Sequence, residues 1–145
     1  MGNLVIRQLQ EDDLFKGFLE SLDSLRKTSE LSPQKAKQIY KKIKSNPNHV
    51  IFVAVLDGKV VGSTTLIIEQ KFIHQGGLVG HIEDVVTHKD FRGMGVGKAL
   101  VRHATDTARN AGCYKVILNC SEENREFYEK IGFKQHGIEM RIDLK

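Results

Sequence analysis

Apolar and polar residues alternate along residues 4–10, which predicts a β-strand. The spacing then becomes helical, with an apolar stripe through residues 14–22 that Asp12 or Asp13 can cap. Residues 23–31 are polar and predict a loop. The chain therefore opens with a strand and a helix.

A second helix is predicted next, because Ser32 is a good cap and Pro33 suits the first helical position. Residues 50–56 form a continuous apolar run, which is typical of a buried strand. The Asp-Gly pair that follows is a strong signal for a hairpin turn into a partner strand at residues 59–70.

The second half begins with a predicted loop at residues 71–79 and a strand at 81–87. A long helix opens at a glycine-rich turn, and a strand at 114–120 follows it. Ser121 can cap a short helix, and residues 138–144 predict a last strand. This order predicts one α/β domain, residues 1–145, with a mixed, mostly antiparallel sheet and helices on both faces.

Composition narrows the class of protein. At 145 residues the chain is one domain long, and 22 basic against 18 acidic residues give a net charge of +4. That excess permits an anionic ligand and does not demand nucleic acid. Cys113 and Cys120 flank a predicted strand, about 23 Å apart, which is beyond disulfide reach. Without a Cys/His cluster, secretion signal or long apolar run, we expect a cytoplasmic protein with no zinc and no membrane partner.

The glycine-rich turn, Arg92–Lys98, carries the clearest chemical signal. Free N–H groups and the helix dipole at such a turn favour an anion, and Arg92 and Lys98 add positive charge. A nucleotide P-loop needs four residues between its glycine and Gly-Lys, and a dinucleotide fingerprint needs glycine where Lys98 stands. The turn therefore predicts a different phosphate site, with a plain flexible turn as the alternative.

Arg92, Gly95 and Gly97 fit the pattern Arg/Gln-x-x-Gly-x-Gly/Ala, and the chain resembles the Gcn5-related N-acetyltransferases (GNAT), whose acyl-CoA signature this is. Four longer blocks resemble one branch of that family, the eukaryotic glucosamine-6-phosphate N-acetyltransferases. The blocks are KFIH at 71–74, GHIEDVV at 80–86, CYKVILNCS at 113–121 and ENREFYEKIGF at 123–133. The first half of the chain matches only in the order of its elements.

The resemblance implies that the acetyl group of acetyl-CoA is transferred to the amine of D-glucosamine 6-phosphate, by direct attack in a ternary complex and without a metal. The products would be N-acetylglucosamine 6-phosphate and CoA, a step of UDP-N-acetylglucosamine biosynthesis. The resemblance also implies a homodimer with shared active sites, in which Tyr114, Lys115 and the last strand are the shared pieces.

For acetyl-CoA, the resemblance implies contacts along strand 81–87, the glycine turn and the short helix. The implied residues are Val85, Val86, Arg92, Gly93, Met94, Gly95, Val96, Gly97, Lys98, Asn124, Phe127, Tyr128, Glu129 and Lys130. Tyr128 is the candidate acid, because a phenol with a pKa of about 10 can protonate or hydrogen-bond a thiolate whose thiol has a pKa of about 8.5. By pattern alone, Tyr128 would be a core residue of an apolar stripe.

Glu83 and Asp84 form a carboxylate pair within an otherwise apolar strand. Buried charge is costly unless it is paired, which favours a functional role, and adjacent positions of a regular strand face opposite sides, so that only one can face the amine. Two solvated acids on an edge strand are the alternative. The resemblance implies sugar contacts from Thr28, Lys71, Phe72, Ile73, His74, Glu83, Asp84, Val85, Tyr114, Lys115 and Arg141.

Two positions depart from the family pattern. Asn119 stands where the family has an acid, so this catalytic position can orient an amine but cannot take its proton. Asp143 stands where the family has arginine, and Arg141, two residues earlier on the same strand face, could substitute. Which group accepts the amine proton stays open between Glu83 and other groups.

Two other functions compete with this interpretation. The same fold could acetylate a protein amine, a polyamine or an aminoglycoside, although the loop cations favour an anionic small molecule. A basic nucleic-acid-binding module is the more remote alternative, because aromatic residues make up only 7% of the chain and its basic residues alternate with acids.

Overall fold

In the computed structural model, which describes residues 2–145, five strands form one sheet in the order of the sequence. The first four strands pair antiparallel, and the last two pair parallel. This confirms the predicted mixed α/β sheet. The strands are β1 Leu4–Gln8, β2 His49–Leu56, β3 Lys59–Gln70, β4 Leu78–Thr87 and β5 Cys113–Ile117.

The helices lie on both sides of this sheet. They are α1 Phe18–Ser21, α2 Pro33–Lys44, the one-turn α3 Ile73–Gly76, α4 Val96–Asn110 and α5 Arg125–Ile131. Short 3-10 turns precede or follow them at Glu11–Phe15, Leu22–Ser24, Lys89–Phe91 and Glu122–Asn124. As predicted, the Ser32 hydroxyl caps α2 by accepting the Lys35 N–H at 3.2 Å.

The predicted continuous first helix is wrong. Residues 11–24 instead form a 3-10 turn, α1 and a second 3-10 turn. The break lies at Gly17, which has φ +105°, and a Cβ there would stand 2.7 Å from the Val60 carbonyl oxygen. The chain can pass β3 at this distance only with glycine, and that close approach overrides the helical spacing.

Two apolar layers hold the helices to the sheet. On one face α4 buries Leu100 and Ala104 against Phe52, Leu66 and Ile82. On the other face α1 and α2 close a second core, whose buried members are Leu9, Leu14, Phe18, Leu19, Ala36, Ile51, Val53 and Val60. The sheet is therefore covered on both faces over β1 to β3, and its β4–β5 end is the more open part.

The parallel pair β4–β5 separates after a short contact. Pairing covers Leu78–His81 on β4 and ends at the pair His81–Ile117. The prediction of a strand as far as Cys120 is wrong, because residues beyond Ile117 leave β4 and have no strand to bond with. β4 also starts at Leu78, which shortens the predicted loop.

The predicted last strand, residues 138–144, is also wrong within this chain, because that segment has no regular structure. Its apolar residues alternate as expected, yet Ile138, Met140, Ile142 and Leu144 are 82–88% exposed. A strand needs backbone partners, and this segment pairs with none of the strands found within residues 2–145.

Two smaller findings concern cysteines and membranes. Both Cys113 and Cys120 are free thiols, as the spacing predicts. Across residues 2–145, none of the helices combines the length and apolar character that a bilayer crossing requires.

Candidate active site

The separation of β4 from the chain after β5 creates a wedge at the open end of the sheet. Beyond His81, β4 has no strand neighbour on this side, so an extended ligand with amide groups can lie along it. An open groove of about 1220 Å³ runs beside β5 and α5, and Asn119, Cys120 and Tyr128 line it together with Tyr114 and Lys115. The groove thus joins candidates from β5 and α5, while neither Glu83 nor the glycine turn lines it.

A β-bulge places the carboxylate pair at this wedge. Asp84 has a left-handed φ of +52°, and the register between β3 and β4 shifts here. The Thr64 hydroxyl donates to the Glu83 carbonyl at 3.1 Å, which holds the bulge against β3. The expected placement of Glu83 and Asp84 on opposite faces assumed regular pleating, and the bulge breaks that pleating. Both residues are exposed, and neither is buried as the pattern suggested.

The glycine turn forms a cradle before α4. Gly93 and Gly95 have φ values of +78° and +83°, and a Cβ on either would meet no atom within 4 Å. The first turn of α4 therefore presents backbone N–H groups to open space, which suits a phosphate. The Arg92 Nε donates to the Thr87 carbonyl at 3.1 Å and ties the turn to the end of β4. This fits the predicted acyl-CoA role of the turn.

Helix α5 stands close to this cradle. A Cβ at Gly97 would lie 3.4 Å from the Phe127 ring, so glycine lets α5 approach the start of α4. The neighbouring Tyr128 packs edge-on between Phe127 and Phe133, with ring centroids 4.9 and 6.0 Å away. Burial, and secondarily the nearby Cys120 thiol, raise the pKa of the Tyr128 phenol. Its proton therefore stays on oxygen at neutral pH, available for donation.

The loop between β3 and β4 collects cations at the opposite end of β4. Lys71 Nζ lies 3.0 Å from a Glu69 oxygen, and His81 Nε2 lies 2.8 Å from the other. Hydrogen bonds from His81 and then Lys71 lower the pKa of Glu69. The His74 ring stacks on Tyr114 with centroids 3.9 Å apart. His74 and Tyr114 are therefore in contact, Lys115 lies 5.8 Å over the Tyr114 ring, and the nearby Lys71 pairs with Glu69.

Some predicted contacts do not join this cluster. The Thr28 hydroxyl donates to the Arg26 carbonyl at 2.7 Å, within its own loop. Arg141 lies in the exposed C-terminal segment, where its guanidinium pairs with Asp143 at 2.7 Å. Phe72 and Ile73 are strongly exposed at the tip of the β3–β4 loop. Within one chain, the residues implied for the sugar therefore do not all meet.

Glu69 and His81 were not among the residues that the sequence pattern singled out. Glu69 and His81 lie on neighbouring strands, and only the register of β3 with β4 brings them together. Glu69 is a charged residue near the end of an apolar strand, and that position could have marked it as a candidate. Within residues 2–145, no group of three His, Cys, Asp or Glu side chains is arranged to hold a metal ion.

The wedge beside β4 suits an extended ligand, and the glycine cradle suits a phosphate on that ligand. The sequence profile of the acetyltransferase (GNAT) family matches residues 9–133. The chain therefore belongs to the GNAT family of acetyltransferases, which use acetyl-CoA.

Its relatives point to one branch of that family. The chain is 41% identical to the glucosamine 6-phosphate N-acetyltransferase of Trypanosoma brucei brucei, covering 98% of this chain and 97% of that protein. It is also 41% identical to the enzyme of that name from Arabidopsis thaliana, covering 93% of each. The crystal structure of glucosamine-6-phosphate N-acetyltransferase from Arabidopsis thaliana superposes with a TM-score of 0.95 at 38% identity, covering 99% of each chain. The likeness thus extends well beyond residues 71–133.

Proposed function

We propose that this protein transfers the acetyl group of acetyl-CoA to the amine of D-glucosamine 6-phosphate, giving N-acetylglucosamine 6-phosphate and CoA. One observation carries the proposal: groups that are suited to binding anions lie near both ends of β4. The glycine cradle follows Thr87, and the cationic loop with Lys71 and His74 precedes Leu78. A pyrophosphate at one end and a sugar phosphate at the other would bring thioester and amine together along the wedge.

The proposed chemistry is direct attack of the amine nitrogen on the thioester carbonyl. The C–N bond forms, the carbonyl oxygen takes up negative charge, and the C–S bond then breaks to release CoA thiolate. Tyr128 donates a hydrogen bond to the departing sulfur. Glu83, an exposed carboxylate at the bulge, is the candidate acceptor of the amine proton, whereas Asn119 can only orient the amine.

A thiol route through the protein has less support. Burial raises the pKa of the Cys113 thiol, which keeps it in the unreactive protonated form. Cys120 is exposed and lies near Tyr128. The protonated Tyr128 phenol cannot act as a base that would activate this thiol. A ternary complex without an acetyl-enzyme is therefore the mechanism that the site favours.

Release of free thiol from acetyl-CoA tests the function. We expect fast turnover with glucosamine 6-phosphate, and much slower turnover with glucosamine, a polyamine or an aminoglycoside. The comparison of glucosamine with its 6-phosphate isolates the contribution of the cationic loop. Equal rates for these two sugars, or a preference for one of the other amines, would overturn the proposed substrate.

For the glycine cradle, we predict that Arg92→Ala combined with Lys98→Ala raises the Kd for acetyl-CoA at least about tenfold. Each charge-assisted contact is worth roughly 1.5–3 kcal/mol, and solvent exposure favours the low end. Calorimetric titration with acetyl-CoA, in the absence of the amine, measures the effect. Replacing Lys41 and Lys42 on α2 by alanine removes the same charge and should leave the Kd unchanged. If the Kd stays unchanged in the Arg92 and Lys98 variant, or changes as much in the Lys41 and Lys42 variant, the glycine turn does not bind the cofactor.

We also propose that the protein acts as a homodimer with shared active sites. The exposed C-terminal stripe, residues 138–144, has the alternation of a strand, and β5 presents a free edge beside Tyr114 and Lys115. A strand donated by a second copy would pair with that edge and bring Arg141 toward the sugar site. Exposed edges and apolar stripes are rarely left uncovered in native proteins.

The dimer is tested by light scattering during size-exclusion chromatography. We expect a mass of about 33 kDa at micromolar concentration, twice the 16.4 kDa of one chain. Met140→Asp should shift the mass toward one chain, because it places a charge on the stripe, while Lys134→Asp outside the stripe should not. A wild-type mass near that of one chain would contradict shared active sites.

The organisation of the chain and its location complete the proposal. Residues 1–145 act as one domain, since the two core layers share a single sheet. The location proposed is the cytoplasm, with the two substrates and a second copy as partners and with neither nucleic acid nor membrane among them.

A further inference from the structure

The side chain of Gln70, the last residue of β3, is hydrogen-bonded to both ends of the loop that follows this strand. Its side-chain Nε2 donates to the Lys71 carbonyl at 3.0 Å and to the Gly76 carbonyl at 2.8 Å. Both partners are acceptors, so only the NH₂ end of the amide can satisfy them. The side chain therefore closes the loop across residues 71–76.

The loop needs such a closure because its backbone is unfavourable. His74 and Gln75 have φ values of +54° and +57°, a left-handed conformation that costs energy in residues with a Cβ. The Lys71 N–H also donates to the Gly77 carbonyl at 2.9 Å, which closes the loop base through the backbone. Two consecutive strained residues persist only where surrounding bonds hold them.

The strained conformation sets the position of the cationic side chains. It lays the His74 ring on Tyr114 with centroids 3.9 Å apart and an angle of 25° between planes. At Gly77 a Cβ would stand 2.6 Å from the Tyr114 ring, so the loop passes β5 at the closest possible distance. A loop that relaxes at His74 and Gln75 would lose this stack and the alignment of Lys71.

We propose that Gln70 is a positioning residue for the sugar-phosphate site, acting through Lys71 and His74 without touching the sugar. This rests on the proposed function, in which these two side chains bind the 6-phosphate. Gln70 holds the loop in the binding conformation before the sugar arrives. Gln70 therefore increases the affinity for the phosphorylated sugar and does not affect the rate of the chemical step.

The size of the effect follows from the population of the ordered loop. Both hydrogen bonds are exposed, which places them at the low end of the usual range of strength. Losing two such bonds lowers the ratio of ordered to disordered loop by roughly five- to tenfold, and the apparent affinity falls by up to the same factor. For Gln70→Leu we expect KM for glucosamine 6-phosphate to rise about three- to tenfold. Both kcat and KM for acetyl-CoA should stay within about twofold of wild type.

Two comparisons make this kinetic test specific. Gln8→Leu is the matched control, because Gln8 is likewise the exposed last residue of a strand and lies on β1, away from the loop. Adding Gln75→Asn to Gln70→Leu should restore much of the affinity, because asparagine tolerates the left-handed conformation better than glutamine does. An unchanged KM in Gln70→Leu, or a loss that falls on kcat, would overturn the proposal.

A structural measurement separates this inference from the proposed function. The ring protons of His74, assigned in NMR spectra with His74→Gln, should be shifted upfield by the Tyr114 ring in wild type and Gln8→Leu. In Gln70→Leu they should move toward the positions of an unstacked histidine. If the wild type fails to acetylate glucosamine 6-phosphate, the proposed function is wrong, and the shift alone decides whether Gln70 orders the loop. Unmoved His74 signals would refute the positioning role in either case.

Discussion

Replacement of Tyr128 by phenylalanine should lower kcat about 100-fold and leave the Kd for acetyl-CoA and for the sugar unchanged. The phenylalanine ring keeps the edge-on contacts with Phe127 and Phe133, so folding is preserved. Only the hydroxyl is lost, and its interaction with sulfur grows as the C–S bond breaks. Assistance of this kind is typically worth about 10²–10⁴-fold, and a thiolate that leaves readily favours the low end.

The raised pKa of Tyr128 refines its role. A phenol above its ordinary pKa of about 10 is a weaker acid than the thiol of CoA, near 8.5. Complete transfer of the proton to sulfur is therefore uphill, and donation of a hydrogen bond to the thiolate is the favoured contribution. Protonation from solvent completes the release of CoA.

Stopped-flow measurement of thiol release gives kcat for Tyr128→Phe, with Tyr40→Phe on α2 as the matched control. An acetyl thioester with a more acidic thiol should recover part of the lost rate in Tyr128→Phe, because its thiolate needs less help to leave. A normal kcat, or a parallel loss of rate and unfolding free energy, would instead make Tyr128 a core residue.

Replacement of Asp13 by alanine should lower the free energy of unfolding by about 3 kcal/mol. Asp13 is 4% exposed, and its two oxygens accept from both terminal nitrogens of Arg7 at 2.7 and 2.8 Å. One oxygen also accepts the Gln10 N–H at 2.7 Å. The substitution leaves the Arg7 guanidinium without its carboxylate and the 3-10 turn without its cap.

Lowering the pH should weaken the stabilisation that Asp13 provides. Burial pushes the pKa of Asp13 up, but the bonds from Arg7 and Gln10 outweigh burial and hold that pKa below its ordinary value. A lowered pKa means that the stabilisation is complete above about pH 4 and is lost as the pH falls through the folded-state pKa. Urea unfolding of wild type and Asp13→Ala at pH 7 and pH 3 measures the difference. Exposed Asp12→Ala is the control, and a similar loss for both variants would contradict the buried pair.

Local patterns predicted most of the elements correctly. Ser32 and Pro33 start α2, and the Asp-Gly hairpin joins β2 to β3 as expected. The glycine turn opens a long helix, α4, at Val96 as expected, and that helix buries Val96, Leu100, Ala104 and Ala108. These features depend on neighbours within a few residues, so their signals are present in the sequence itself.

The failures occurred where distant parts of the chain compete. Gly17 breaks the first helix because β3 passes within contact distance, and nothing near Gly17 in sequence reports that approach. The strand after α4 stops at Ile117 because β4 bends away at the bulge around Asp84. Residues 138–144 alternate like a strand yet pair with none of the five strands in the described part of the chain, and a strand forms only where another strand supplies hydrogen-bond partners.

For the candidate site, the sequence by itself determined the chemistry at each position: the glycines and cations of the turn, the phenol of Tyr128 and the carboxylates of the bulge. The tertiary structure alone decided which of these groups meet. Antiparallel register joins Glu69 to His81, and the parallel contact of β5 with β4 sets Tyr114 against His74. Residue type is a local property, whereas register and the separation of strands depend on the packing of the whole sheet, which no local pattern contains.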